Sequence, residues 1–125
     1  MTVVCIDNDP KILDGMSILL GGWGCRVIAA TDVAAAIEAL RGETTPPAGL
    51  LVDYHLDRGD GIAAIAELRN SYGPGQPAIL ITADRSVAVR AAAQAQGIQV
   101  LNKPIKPAAL RALLAQWRMQ RVAAE

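Results

Sequence analysis

The chain has 125 residues, 52% of them apolar, and its 12 basic and 12 acidic side chains give a net charge of +0. This length and composition favour a single globular domain, residues 1–125, with a buried core. The balanced charge excludes a strong electrostatic footprint for nucleic acid. No apolar stretch nears the roughly 20 residues that span a bilayer. Because the N-terminus also lacks the features of a signal peptide, we expect a cytoplasmic location and no membrane contact.

Short apolar runs and helix-period segments alternate five times along the chain. The predicted strands cover residues 3–6, 25–29, 48–53, 78–82 and 98–101. The predicted helices begin after N-caps at Asp9, at Thr31 or Asp32, and at Asp84, with a third helix after Gly61 and a last one from about Pro107. The fourth helix is rich in Ala and has few large apolar anchors, and residues 122–125 are expected to fray. Strand–helix units of this length predict parallel strands covered on both faces, a three-layer α/β/α sandwich.

Polar side chains follow four of the predicted strands. Asp7 and Asn8 come after the first strand, Asp53 ends the third, Thr82 ends the fourth and Lys103 follows the fifth. In parallel α/β sheets, ligands collect at the carboxyl ends of the strands. A carboxylate can attack phosphorus, Mg²⁺ prefers oxygen ligands, and an ammonium supplies a point charge for a phosphoryl oxygen. The pattern therefore predicts a small site for a metal ion and a phosphoryl group.

These residues resemble the receiver domain of bacterial two-component response regulators. The resemblance covers the whole chain and rests on Asp7-Asn8, Asp53, Thr82-Ala83 and Lys103-Pro104. It implies a flavodoxin-like sheet of order 2-1-3-4-5 and a cis bond before Pro104. It also implies that Asp53 accepts a phosphoryl group from a kinase or phosphotransfer histidine, with Thr82 and Lys103 contacting that group. The implied Mg²⁺ ligands are Asp7, Asn8, Asp53 and the backbone carbonyl of His55.

Two positions depart from the family pattern. Where the family usually has a second acid after the first strand, this chain has Asn8, so we expect weaker Mg²⁺ binding than with Asp there. The family's switch residue in the fifth strand is often aromatic, but the equivalent here is Val100. Any switch would then depend more on Thr82 and the loop after it, with helix four, strand five and helix five as the face that a downstream protein reads.

The isolated domain is not expected to be a conventional enzyme, since its chemistry would be limited to self-phosphorylation and dephosphorylation at Asp53. A pseudo-receiver, an interaction module that is never phosphorylated, is the first alternative and is supported by Asn8. A hydrolase of the haloacid dehalogenase type is a remote one. Asp7-Asn8-Asp9 resembles its D-x-D motif, but Glu125 is the only acid after Lys103, and that family needs an acidic pair there.

Three further features were interpreted from the sequence. Residues 21–24 include three glycines, but they follow a predicted helix and precede a strand, the wrong order for a nucleotide-binding phosphate loop. Cys5 and Cys25 lie in apolar segments and are predicted to be buried, inert thiols. The chain is either a single-domain regulator or a receiver from a larger protein. The Asp7-Asn8-Asp9-Pro10 segment and residues 21–25 look similar to C-terminal receivers of hybrid sensor histidine kinases, which favours the second option.

Overall fold

The computed structural model describes the backbone of residues 1–124 and the side chains of residues 1–120. The fraying expected at residues 122–125 falls at the end of the chain, outside the described side chains. Within the described residues, no helix combines the length and the apolar character needed to cross a bilayer.

Five parallel strands and five helices alternate along the chain. The strands are β1 (Thr2–Ile6), β2 (Arg26–Ala30), β3 (Gly49–Asp53), β4 (Ala78–Thr82) and β5 (Gln99–Asn102). The helices are α1 (Pro10–Gly22), α2 (Val33–Leu40), α3 (Gly61–Tyr72), α4 (Val87–Ala95) and α5 (Pro107–Ala124). The sheet order is β2-β1-β3-β4-β5, with every neighbouring pair parallel. This confirms the flavodoxin-like fold, with strand bounds that differ from the prediction by at most one residue.

The sheet separates two apolar cores, as a three-layer sandwich requires. The central strand β3 is buried along its whole length, whereas the edge strands β2 and β5 alternate between buried and exposed residues. On one face Leu40, Ile65 and Val89 bring α2, α3 and α4 against the sheet. On the other face Leu20 and Trp117 do the same for α1 and α5. Continuous apolar strands are typical of parallel sheets covered on both faces.

The helix starts show one wrong prediction. Asp9 and Asp32 cap α1 and α2 as expected. The predicted cap of α4, however, was Asp84, and the structure assigns that role to Ser86, whose Oγ accepts a hydrogen bond from the Val89 amide at 3.3 Å. The Asp84 carboxylate instead accepts from the Ser86 amide at 2.8 Å, a local turn that occurs before the helix begins.

Helix α4 is held more weakly than its neighbours, as its composition predicts. Val89 and Ala93 are its buried residues, and Val87 in its first turn is 83% exposed. Few buried apolar contacts characterise the parts of a protein that open or move most easily. The helix next to strand β5 is therefore suited to a change of position.

The two cysteines are buried free thiols, as predicted. Burial raises the pKa of Cys5 to about 12, and the nearby Cys25 acts in the same direction. Because the thiolate is the reactive form, Cys5 stays protonated and unreactive at neutral pH.

Gly61, the first residue of α3, brings that helix close to the end of β3. A Cβ at this position would clash with the backbone carbonyl of Asp53 and lie 2.7 Å from Cδ1 of Leu80. Both neighbours are buried and cannot easily give way. A side chain here would push α3 away from the segment that carries Asp53.

We expect Gly61→Ala to lower the free energy of unfolding by about 1–3 kcal/mol, the usual cost of overpacking a buried position. The matched control is Gly15→Ala in the exposed interior of α1, where a Cβ meets nothing within 4 Å. That change should raise stability by up to about 1 kcal/mol through helix propensity. Urea unfolding of both variants checks the pair, and equal stabilities would contradict the close packing at Gly61.

Candidate phosphoacceptor site

The strand order places four of the predicted site residues along one edge of the sheet. Strands β1, β3, β4 and β5 are successive neighbours, and all run in the same direction. Asp7 directly follows β1, Asp53 ends β3, Thr82 ends β4 and Lys103 directly follows β5. Their side chains therefore emerge at the carboxyl end of the sheet.

Asp53 and Lys103 form the charged centre of this edge. The Asp53 side chain is only 5% exposed, and its Oδ1 lies 2.9 Å from Nζ of Lys103, whose side chain is 34% exposed. That oxygen accepts no well-directed hydrogen bond from the described part of the chain. The contact with Lys103 is therefore best treated as a charge pair, which leaves the buried oxygen with bonding capacity for a further partner.

A second buried carboxylate, Asp7, lies within electrostatic reach of the first. Burial raises the pKa of Asp7, and the charge of Asp53 raises it further. A hydrogen bond of 2.9 Å from the Asp9 amide to Asp7 Oδ1 and the charge of Lys103 act in the opposite direction. The ammonium of Lys103 thus lies near two buried carboxylates, and its single positive charge cannot offset both of them.

This donor set fits a divalent cation with a preference for oxygen. Mg²⁺ is typically bound by one or two carboxylates and retains several waters. Asp7 and Asp53 provide two carboxylates, and Oδ1 of Asp53 is a buried acceptor without a well-directed hydrogen bond from any side chain or backbone group of the described residues. Residues 1–120 contain no group of three His, Cys, Asp or Glu side chains that could hold a metal ion.

Thr82 is fully buried, and a backbone hydrogen bond connects it to the residue that follows β5. Its carbonyl accepts a hydrogen bond of 2.9 Å from the Lys103 amide. Its Oγ1 accepts a hydrogen bond of 2.9 Å from the Asp84 amide. Because a hydroxyl has one proton and two lone pairs, Oγ1 can still donate to an incoming oxygen.

The two remaining predicted metal ligands lie at the rim of the site. Asn8 is exposed, and its Nδ2 donates a hydrogen bond of 3.0 Å to Oδ1 of Asp57. The His55 side chain is also exposed and packs edge-on against Tyr54, with ring centroids 5.0 Å apart. An isolated antiparallel bridge to Asp60 holds the backbone of His55.

Sequence analysis missed the role of Asn102, which ties the loop after β4 to β5. Its Nδ2 lies within hydrogen-bond distance of the carbonyls of Thr82, at 3.2 Å, and Asp84, at 3.4 Å. Its Oδ1 accepts a hydrogen bond of 3.0 Å from Nη2 of Arg90 in α4. The only signal was an Asn at a strand end next to Lys103, which is equally typical of a turn.

Comparison with known proteins identifies the family. Residues 3–115 match the response regulator receiver domain. The chain belongs to this family. It is 30% identical over 109 residues to the transcriptional regulatory protein GlrR of Escherichia coli K12, and 32% identical over 105 residues to the probable transcriptional regulatory protein TcrX of Mycobacterium tuberculosis.

The match to these regulators covers only part of their length. It includes 86% of this chain but 24% of GlrR, and 83% of this chain but 44% of TcrX. Among solved structures, a response regulator receiver domain protein from Clostridium thermocellum has a TM-score of 0.87 at 16% identity, with coverage of 99% and 98% of the two chains. The receiver fold and the family are thus established, together with the family's role in two-component signal transduction. The Lys103–Pro104 bond is also cis, as the family resemblance implied.

We expect Lys103→Met to lower the free energy of unfolding by about 1–3 kcal/mol, because two buried carboxylates would lose their cation. The value lies below the range for a fully buried pair since solvent screens the partly exposed ammonium. Lys106→Met, which removes an exposed charge nearby, should change stability by less than about 0.5 kcal/mol. Urea unfolding at pH 7 and low salt checks both values, and equal costs would contradict the pairing of Lys103 with Asp53.

Proposed function

We propose that Asp53 is the phosphoacceptor of this receiver domain, and that Asp7, Thr82 and Lys103 complete its site. The observation that supports this most is the state of Oδ1 in Asp53. It is a buried carboxylate oxygen that accepts no well-directed hydrogen bond within the described part of the chain, 2.9 Å from an ammonium and near a second carboxylate. An oxygen held in this way is available as a nucleophile and has a cation next to it that can receive charge from the transferred group.

The reaction that fits the site is transfer from a phosphohistidine. A carboxylate oxygen of Asp53 attacks the phosphorus, a new O–P bond forms, and the P–N bond breaks with its electron pair retained by the histidine nitrogen. The ammonium of Lys103 contacts one phosphoryl oxygen, and the hydroxyl of Thr82 donates a hydrogen bond to another. Since Lys103 already lies beside Asp53, it needs little movement to follow the charge from the carboxylate to the phosphoryl group.

We propose Mg²⁺ as the cofactor, held by Asp7, Asp53, the side-chain oxygen of Asn8 and the backbone carbonyl of His55. When bound, the ion offsets the repulsion between the carboxylates and the anionic phosphoryl donor. Asp7 and Asp53 support this role because one ammonium alone leaves the pair short of positive charge. Asn8 and His55 lie at the exposed rim, where they could complete the coordination from outside.

Receiver domains act with kinases or phosphotransfer proteins, and we propose that a histidine kinase or histidine phosphotransfer domain loads Asp53. The setting that we propose is cytoplasmic, with residues 1–125 forming one domain, either alone or as a part of a hybrid histidine kinase. The partial coverage of GlrR and TcrX supports the view that this unit occurs within larger proteins. The family match gives no support to the hydrolase alternative, whereas a pseudo-receiver remains the second candidate because Asn8 replaces an acid.

We expect the intact mass to rise by one phosphoryl group after incubation with acetyl phosphate and Mg²⁺, and we expect Asp53→Asn to show no gain. Omission of Mg²⁺, or addition of a chelator, should abolish the gain in the wild type. A gain of mass in Asp53→Asn would place the acceptor elsewhere. No gain in the wild type from acetyl phosphate or from a phosphorylated histidine phosphotransfer domain would favour the pseudo-receiver.

We further propose that phosphorylation is read out through the loop after β4 and helix α4. Thr82 begins this loop, and Asn102 bridges it to Arg90 of α4. Movement of the Thr82 hydroxyl toward a phosphoryl oxygen would compete with its hydrogen bond from the Asp84 amide. Val100 is half-buried and packs against the core, and we propose that polar contacts around Asn102 take the place of an aromatic switch.

Amide hydrogen exchange with and without beryllofluoride, a phosphoryl mimic, tests this readout. We expect changed protection in residues 83–95 and in β5, because the loop and α4 share contacts with both Thr82 and Asn102. Asp53→Asn provides the control that cannot hold the mimic. Protection changes confined to residues next to Asp53 would contradict a switch through α4.

A further inference from the structure

The loop that follows β1 and the loop between β3 and α3 are connected by a side-chain hydrogen bond near the proposed Mg²⁺ site. Asn8 follows β1 and Asp57 lies between β3 and α3, 49 residues apart, and Nδ2 of Asn8 donates to Oδ1 of Asp57 at 3.0 Å. A carboxylate only accepts hydrogen bonds, so the nitrogen of the amide must be the atom that faces Asp57. The amide oxygen of Asn8 is then the polar atom of this side chain left for another partner.

This contact also changes the charge of the site. Asn8 is the position at which a carboxylate is missing, and Asp57 brings a carboxylate to within hydrogen-bond distance of the same side chain. Asp57 thus provides, next to Asn8, the negative charge that an acid at position 8 would have carried. Partners that hydrogen-bond to a metal ligand orient it and raise its affinity for the metal.

We propose that Asp57 is a positioning residue of the Mg²⁺ site. Its carboxylate holds the Asn8 amide so that the carbonyl oxygen is presented to the ion, and its negative charge replaces part of the charge that Asn8 lacks. The inference rests on the proposed Mg²⁺ site. Asp57 acts through Asn8 rather than as a ligand, which agrees with the absence of a three-acid cluster within residues 1–120.

Mg²⁺ titrations followed by amide chemical shifts at constant ionic strength test the charge of Asp57. Asp57→Asn keeps an acceptor for the Asn8 amide but removes the charge. We expect its Mg²⁺ affinity to fall by about tenfold, the low end of the range for residues that support a metal ligand. Asp14→Asn, which removes an exposed acid of α1, is the matched control and should change the affinity by less than about twofold. Equal affinities for the two variants would overturn the proposal.

A second set of variants tests the coupling between the two positions. Asn8→Asp should tighten Mg²⁺ binding in the wild type, and it should do so by a larger factor in the Asp57→Asn background. In the wild type, Asp57 already supplies negative charge to the site, so a second carboxylate at position 8 adds less. In the double variant, the hydrogen bond between positions 8 and 57 forms again, with the amide now at position 57 and the carboxylate at position 8. Equal gains in both backgrounds would show that the two residues act independently, which contradicts the proposal.

The titration separates this inference from the proposed function. A wild-type protein that shows no Mg²⁺-dependent shifts near Asp53 would overturn the proposed metal site and the inference with it. Mg²⁺ binding to the wild type with no difference between Asp57→Asn and Asp14→Asn would overturn the role of Asp57 alone. Each affinity is measured on a folded spectrum, so loss of folding cannot be taken for loss of binding.

Discussion

The structure depends most on two carboxylates buried side by side at one edge of the sheet and opposed by one ammonium. Burial disfavours the charged form of Asp7 and raises its pKa, and the nearby charge of Asp53 acts in the same direction. Lys103 at 2.9 Å from Asp53 offsets part of this cost. The remaining deficit of positive charge is the basis of the proposed Mg²⁺ site, in which the ion would offset repulsion between these carboxylates and an anionic phosphoryl donor.

The parallel sheet is what holds these groups together. Hydrogen bonds between strands fix the ends of β1, β3, β4 and β5 at one level, and a close approach of α3 at Gly61 holds the backbone of Asp53 from the other side. The functional groups therefore extend from rigid elements, which is how a site can keep its geometry while two charges of the same sign repel each other. The loop that begins at Thr82 leads to α4, the helix with few buried apolar contacts, so Thr82 connects the sheet to the element best suited to a change of position.

Both departures from the family pattern have polar partners in the structure. Asn8 carries no charge at a position of the proposed metal site, and its amide contacts a carboxylate, Asp57, from the neighbouring loop. Val100 removes an aromatic ring from β5, and two residues farther along Asn102 connects β4, the loop and α4. In each case the structure shows a hydrogen bond between two segments of the chain near the departing residue.

The sequence by itself determined the fold class and the main site residues. Apolar runs that continue along each strand are needed when both faces are covered, and polar residues at the ends of such runs must appear at the same edge of a parallel sheet. Asp7, Asp53, Thr82 and Lys103 could be chosen on this basis. The order of the strands was not contained in that pattern and came from the family resemblance.

Only the tertiary structure decided which side chains meet across loops. The contact of Asn8 with Asp57 joins residues far apart in sequence, and the bridge through Asn102 depends on how β5 lies against β4. The same holds for the cap of α4. In the structure the Asp84 amide is hydrogen-bonded to Thr82, and Ser86 is the residue that caps the helix. Periodicity reports which face of an element is apolar, but it has no information on the path of a loop, and short polar side chains can serve as caps, turns or bridges equally well.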